Sequence, residues 1–341
     1  MKKISIFTLI GANNIGAFLQ GFALSRTLEA LGYDYEFVTM PAQGENKGKI
    51  DKIKRYLKQK SFRLLFYKIM SGKKYAQARQ ELKITVFDSN HKYDSVIVGS
   101  DEMWNLDTES FVQYPQFFGR NLSADRIISY APSAGNTNLE QLKASGYDFT
   151  SFDRISVRDQ RTYDLVSSID TRTPVKVLDP TFLLKSYDKY LPDIQSPKDY
   201  ILVYSYGVYE SEIKKIKEFS KKKKMPLFSI GTFNGWCDKN LIVSPFEFLA
   251  YLKKARFVIT STFHGTALSI NLNKQFVVCV EESEKIYSLL NEFNLQSRAV
   301  ITEKSVFEIF EDEIDYSIVN GMIADRRAES IGYLKEALGG K

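Results

Sequence analysis

Cysteine, histidine and tryptophan each occur only twice in the 341 residues. Cys237 and Cys279 stand in different segments, so neither a disulfide framework nor a cysteine-based zinc site is indicated, and a reducing, cytoplasmic compartment is the expectation. The histidines, His91 and His264, lie far apart and outside any HxxxH or HxxE spacing, so no metal site is expected. Long apolar runs are also missing. Val96–Gly99 and Phe276–Val280 are strand-sized, well short of the ~20 residues of a membrane span. The start of the chain, Met1 to Phe7, has two lysines and too short an apolar stretch to read as a signal peptide. Neither a P-loop nor a dinucleotide fingerprint occurs, and no internal repeat or low-complexity linker is visible.

What is present is a well-mixed globular chain. Hydrophobic residues make up 44% and charged residues 26%, and an aromatic content of 13% excludes a disordered or collagen-like protein. The length suits about two domains of ~100–200 residues each. The net charge of +6 is unevenly placed. Residues 47–83 hold thirteen basic and two acidic side chains, which leaves a mildly acidic remainder.

Short β-branched runs alternate with helical patterns, the signature of parallel-sheet α/β architecture. Ile4–Leu9 reads as a strand, Gly11–Asn14 as a turn, and Phe18, Phe22, Leu24, Leu28 and Leu31 recur at helical spacing until Gly32. Tyr35–Thr39 reads as the second strand, residues 47–80 as mostly helical, and Ser95–Val98, Ile127–Tyr130, Ile155–Val157 and Val175–Leu178 as further strands. After Pro192, Ser196 and Pro197 a second set begins with strand Tyr200–Tyr204. It continues through Leu227–Ile230, Phe257–Thr260 and Phe276–Val280, with helices between, and a last helix runs from about Asn320 to Leu338. Two Rossmann-like domains, 1–192 and 193–341, are therefore expected, with a ligand cleft between them where strand ends face each other.

Four segments carry candidate chemistry. The turn before the first helix, Gly11 to Gln20, offers backbone donors for an anion or a sugar oxygen, or is simply a tight turn that needs glycine. Gly99-Ser100-Asp101-Glu102-Met103-Trp104-Asn105 ends a buried strand. There Asp101 could accept a hydroxyl proton and Trp104 could stack on a sugar, unless the segment is a capped loop over a core tryptophan. Ser156-Val157-Arg158-Asp159 puts an arginine at a strand end, where it could clamp a phosphate or carboxylate, or pair with Asp159 as that residue caps the next helix. Phe263-His264-Gly265-Thr266 sets a histidine just before an expected helix start at Thr266.

In this order the segments resemble the polysaccharide pyruvyltransferase family. The likeness extends through Ser129-Tyr130-Ala131, Leu178-Asp179-Pro180-Thr181, Leu289-Leu290 and Asn294-Leu295 with Arg298. Residues 41–92 and about 35 C-terminal residues lie outside it. The resemblance implies a GT-B-like fold of two Rossmann-like domains. It also implies transfer of pyruvate from phosphoenolpyruvate to two hydroxyls of a sugar in a capsular or cell-wall glycan, forming a ketal without a metal or redox cofactor. On that basis His264 is expected as general acid or phosphate ligand, Arg158 as anion clamp and Asp101 as base or acceptor-orienting group. Gly265 and Thr266 are expected to give helix N-terminal donors to the donor phosphate. Asn14, Gly16, Gln20, Trp104 and Asn105 are expected on the acceptor side. Two departures from the family pattern stand out: Ser261-Thr262 where Asp-Ser usually precedes Phe-His-Gly, and Glu102 where Gln is common.

The alternatives are a GT-B glycosyltransferase using a nucleotide sugar and a non-catalytic glycan-binding relative. Nucleic-acid binding is not expected, since no recognised module accompanies the basic segment. That segment interleaves cations with apolar residues. It reads either as a helical hairpin packed on the first domain or as a basic insertion resting on an anionic membrane, near a polyprenyl-pyrophosphate-linked acceptor at the inner membrane face.

Overall fold

The structure is a computed structural model that describes residues 3–41, 62–108, 113–280, 283–300 and 306–339. The lysine-rich stretch 47–61 lies outside these. The architecture is α/β, built on two five-stranded sheets whose strands all run parallel.

In the first half, β1 (Lys3–Phe7), β2 (Asp34–Thr39), β3 (Ile84–Val86), β4 (Lys92–Tyr93), β5 (Ser95–Val98), β6 (Ser123–Ala124) and β7 (Ile127–Ser129) follow in sequence. The sheet order is β3-β2-β1-β5-β7, while β4 pairs with β6 alone. Next come β8 (Ser156–Val157) and β9 (Val175–Lys176), which pair with each other beside that sheet. The second half contains β10 (Ile201–Tyr204), β11 (Leu227–Ile230), β12 (Lys239–Leu241), β13 (Phe257–Thr260) and β14 (Gln275–Val278), ordered β12-β11-β10-β13-β14. The central strands β5, β10 and β13 are buried at every residue, which is why they read as unbroken apolar runs rather than alternating ones.

The first helix, Ile15–Ala30, buries 13 of its 16 residues. A helix covered on one face alone would expose a polar stripe; this one lies between the first sheet and the second half. Phe18 and Phe22 meet Phe246 edge-on at 5.6 and 4.9 Å, and Phe22 meets Tyr190 at 4.8 Å. One hydrophobic core thus runs through both halves.

Two segments depart from the sequence reading. The helix Phe62–Arg79 reaches across to the second half rather than resting on the first alone. Tyr67 Oη donates to the Leu241 carbonyl at 3.2 Å, and Lys74 pairs with Glu247 at 3.1 Å. The last helix, Tyr316–Ala337, follows the second half in sequence and bonds it through Tyr316, Arg326 and Arg327, but it bonds the first half as well. Tyr333 Oη donates to the Ser129 carbonyl at 2.9 Å, Ser330 Oγ accepts from the Leu178 amide at 2.9 Å, and Arg126 donates to the Ala337 carbonyl at 2.8 Å. The buried tyrosine bond is the one that holds this helix to the end of β7. Tyr333→Phe is expected to lower stability by about 1 kcal/mol, read as a reduced urea midpoint with an unchanged denaturant slope.

Candidate active site

In each sheet the strand order reverses beside the first strand, between β1 and β5 and between β10 and β13. The carboxyl ends of strands at such a reversal open a crevice, because the chains leave in opposite directions. Here the two crevices face each other. The turns after β1 and β5 bring Asn14 and Asp101 to a cavity of about 450 Å³, and the segments after β10 and β13 bring Tyr206 and His264 to the same cavity. Asn14 Nδ2 donates to Tyr206 Oη at 3.1 Å across it.

Below the cavity lies Asp179, a fully buried carboxylate. Its Oδ2 accepts from Arg158 Nη1 at 2.9 Å and from Ser100 Oγ at 3.4 Å, and lies 3.6 Å from His264 Nε2. Its Oδ1 accepts the Thr181 amide at 3.0 Å and the Thr181 hydroxyl at 2.7 Å. Burial acts to raise this carboxyl. His264, Arg158 and the Thr181 amide outweigh burial and hold it far below the usual carboxylate range. Burial likewise works against the Arg158 cation, and Asp179, Asp101 and Asp159 overcome it, so its pKa is raised. The guanidinium stacks 4.1 Å over the Phe263 ring, leaving it pinned from below and flat against an aromatic face. His264 Nε2 is buried without a hydrogen-bond partner. The nearest acceptor is Asp179 Oδ2, at 3.6 Å.

His264 is the second residue of its helix, whereas the sequence reading puts it two residues before the helix start. The helix is Phe263–Asn271, not one starting at Thr266, because Thr262 Oγ1 accepts from the Gly265 amide at 2.9 Å and caps it early. Gly265 and Thr266 therefore cannot supply donors to a phosphate. The Gly265 amide is held by Thr262 Oγ1, and the Thr266 amide bonds the Thr262 carbonyl at 3.0 Å. The unpaired amides at this helix start are those of Phe263 and His264. Gly265 is needed for packing: a Cβ there would come within 2.1 Å of Thr260 Oγ1 and 2.6 Å of Thr262 Oγ1.

The departure at Ser261-Thr262 is accommodated locally. Thr262 caps the helix, while Ser261 Oγ takes the Ser205 hydroxyl at 2.8 Å and the Tyr206 amide at 3.1 Å. Glu102 also finds a partner, forming an ion pair with Lys285 from the helix Glu284–Glu292. Burial raises the Glu102 carboxyl, but Lys285, Asn105 and Arg158 bring it below its ordinary value. Lys285 and the pair it forms line the cavity beside Arg158, a cation the sequence patterns did not single out.

Among the acceptor-side expectations, Asn14 and Asn105 stay at the surface of a cavity and the other three do not. Asp101 reaches the cavity, from a left-handed backbone (φ 79°) that turns the loop after Ser100. Gly16 lies beneath His264, and a Cβ at that position would fall 2.2 Å from Nδ1. Gln20 is wholly buried and donates to Thr8 Oγ1 at 2.8 Å and the Ala17 carbonyl at 2.9 Å. Trp104 is core: its Nε1 donates to the Phe117 carbonyl at 2.8 Å and its ring packs 4.4 Å from Phe149. The turn before the first helix is held in place by side chains. Arg79 holds its Gly11 and Ala12 carbonyls at 3.2 and 3.1 Å, and Asn14 Oδ1 caps the helix by accepting the Ala17 amide.

Two facing parallel sheets with a ligand cleft at their reversal points define a GT-B enzyme fold. Solved structures agree. The chain superposes on UDP-GlcNAc 2-epimerase from Neisseria meningitidis bound to UDP-GlcNAc with a TM-score of 0.51 at 11% identity, covering 99% of each chain. The S. aureus MnaA–UDP co-structure gives 0.54 at 11% identity, covering 99% of this chain and 97% of that one. A putative UDP-N-acetylglucosamine 2-epimerase from Listeria monocytogenes gives 0.53 at 10% identity, with 98% and 95% covered. Likeness at this identity speaks to the fold. No curated protein matches the chain in sequence. Residues 14–283 match the family model for polysaccharide pyruvyl transferase, and the chain belongs to that family.

The buried Asp179 gives a pH signature. A carboxyl whose folded pKa is depressed contributes stability that is complete above its unfolded value, ~3.9, and is lost as the pH falls towards the folded value. Asp179→Asn is expected to cost several kcal/mol at pH 7, on the order of the ~3–5 kcal/mol for a buried cation left unpaired. It is also expected to flatten the dependence of stability on pH between about 4 and 2. Urea unfolding of both proteins across that range checks it.

Proposed function

We propose that this polysaccharide pyruvyl transferase takes pyruvate from phosphoenolpyruvate and joins it, as a ketal, to two hydroxyls of one sugar in a capsular or cell-wall glycan. The observation that carries this reading is the convergence of Arg158, His264 and the Glu102-paired Lys285 on one cavity at the start of the helix Phe263–Asn271. Phosphoenolpyruvate is small and doubly anionic, and its phosphate and carboxylate suit these donors. In the reaction the methylene carbon of the donor takes a proton, and a sugar hydroxyl oxygen bonds to the neighbouring C2 as its own proton passes to the base, making good the one given to carbon. The bond from C2 to the phosphate oxygen breaks, and the second hydroxyl bonds to C2, its proton leaving with the phosphate. The step is redox-neutral and calls for a proton donor, a base and cationic clamps, but no redox cofactor. His264 is the proton donor or a phosphate ligand, since it lines the cavity with Asp179 3.6 Å behind its Nε2. Arg158 is the clamp, oriented by Asp179, and Asp101 is the base or orients the acceptor.

Phosphoenolpyruvate is expected to raise the melting temperature while UDP does not; the reverse would favour a nucleotide-sugar glycosyltransferase. Arg158→Lys should raise the apparent donor KM at least tenfold, because lysine lacks the fork that meets Asp179 and substrate together. His264→Gln should slow phosphate release at least ~100-fold, the usual weight of a positioned acid or base. Near-normal release by that variant would remove His264 from the mechanism.

The acceptor reading extends to a lipid-linked repeat unit on an anionic membrane, and the helix Phe62–Arg79 favours it. Tyr67, Tyr75 and Ala78 are buried, but Phe62 and Phe66 are each 61% exposed and Ile69 is 48% exposed, one helical turn apart, with Arg63 and Lys73 exposed among them. Aromatic side chains that insert and cations that meet lipid phosphates are the two elements of interfacial binding. Among the described residues no helix is long and apolar enough to cross a membrane, so the contact proposed is peripheral. Flotation with vesicles rich in phosphatidylglycerol should recover the wild-type protein and lose it in Phe62→Ser/Phe66→Ser. Equal recovery of both, or none of either, would argue against the contact.

A further inference from the structure

Two charged side chains in the cavity wall are each other's partners. Glu102 belongs to the loop after β5 in the first half, Lys285 to the first turn of the helix Glu284–Glu292 in the second, and both line the cavity of about 450 Å³. Arg158 is placed differently, since its countercharge, Asp179, is buried beneath the cavity. The Glu102 and Lys285 side chains are 23% and 35% exposed, so an anion entering the cavity meets the ammonium together with the carboxylate that already holds it. The helix itself gives no reason for Lys285, because a cation in the first turn faces the positive end of the helix dipole. Glu102 is fixed where Lys285 is not. Its amide donates to Asp101 Oδ1 at 2.9 Å, and its Oε2 accepts from Asn105 Nδ2 at 3.0 Å. Asn105 is in turn packed over Gly135, where a Cβ would fall 2.4 Å from Nδ2. Lys285 has a flexible stem and three N–H donors, one of them given to Glu102. The neighbouring Glu284 pairs with Arg161 of the first half at 2.9 Å, which keeps the halves joined at this edge whatever Lys285 binds.

Burial works against the Glu102 charge, and Lys285, Asn105 and Arg158 outweigh it, so the carboxylate stays ionised beside any anion in the cavity. An ammonium shared between two anions holds each less tightly than it would hold one alone, because the anions repel each other. We infer that Glu102 is an internal competitor for Lys285: it lowers the affinity of the cavity for an anionic ligand and so keeps the phosphate left after transfer from staying bound. The inference rests on the pyruvyl-transfer reading in so far as the ligand is phosphoenolpyruvate. Glu102 acts through Lys285 and is a positioning residue, one whose removal strengthens binding. A pair that served only to hold the cleft together would have the opposite sign, since loosening the wall weakens every ligand bound there.

The test is anion binding in the absence of an acceptor. Phosphoenolpyruvate and inorganic phosphate are titrated calorimetrically into the wild-type protein, Glu102→Gln, Lys285→Met and the double variant. Glutamine keeps the shape of glutamate and an oxygen for Asn105, so the loop is retained while the charge is removed. Glu102→Gln should bind both anions at least about fivefold more tightly, the lower end of the usual coupling between linked sites. The gain should disappear when Lys285→Met is already present. Unchanged or weakened binding in Glu102→Gln overturns the competition, and so does a gain of equal size in the absence of Lys285. Binding of neither anion by the wild-type protein or by Glu102→Gln overturns it as well. If phosphate tightens as expected while phosphoenolpyruvate binds none of the four proteins, the competition stands and the donor is rejected.

Discussion

A single carboxylate without solvent contact organises the cleft. Asp179 is an anion held in the interior by four side chains and one amide, and what surrounds it would not stay in place if it were neutral. Arg158 is a buried cation that only a buried anion makes tolerable. The same charge faces the imidazole of His264, which comes from the other half of the protein. The cost of burying two opposite charges is met by placing them in contact and by stacking the guanidinium on Phe263. Rigidity follows, since neither partner can swing away without leaving the other uncompensated.

Much of the fold was legible because parallel sheets announce themselves. β5, β10 and β13 are covered on both faces, so their apolar runs are unbroken and each is bounded by a glycine, a serine or a threonine. Helix ends were less legible. The Thr262 cap starts a helix three residues before Thr266, and nothing in the spacing of apolar residues distinguishes the two starts. The last helix was placed by its order in the chain, whereas its position depends also on Tyr333 and Ser330 reaching residues of the first half.

The site divided along a similar line. Arg158, His264 and Asp101 stand at strand ends, where small residues before them mark a close approach, and the fold does bring them to one cavity. Trp104 and Gln20 sit in equally suggestive segments, but their polar atoms bond to backbone and neighbouring side chains in the interior, a fact that lies in tertiary packing. Asp179 was part of a recognisable segment without an assigned role, because its importance comes from what surrounds it. Lys285 carried no motif signal: it is one lysine among many, and only its pairing with Glu102 sets it apart.

The contact between Gly16 and His264 has a consequence for how this chain can vary. The imidazole rests where any side chain at position 16 would have to begin. Tolerance to substitution in the amino-terminal turn is thus set by a residue encoded far downstream, in the other half of the molecule. A change at either place has no neutral first step unless the other moves as well. The two segments form one heritable unit, and a chimaera that exchanged one half for that of a distant relative would have to carry both across together.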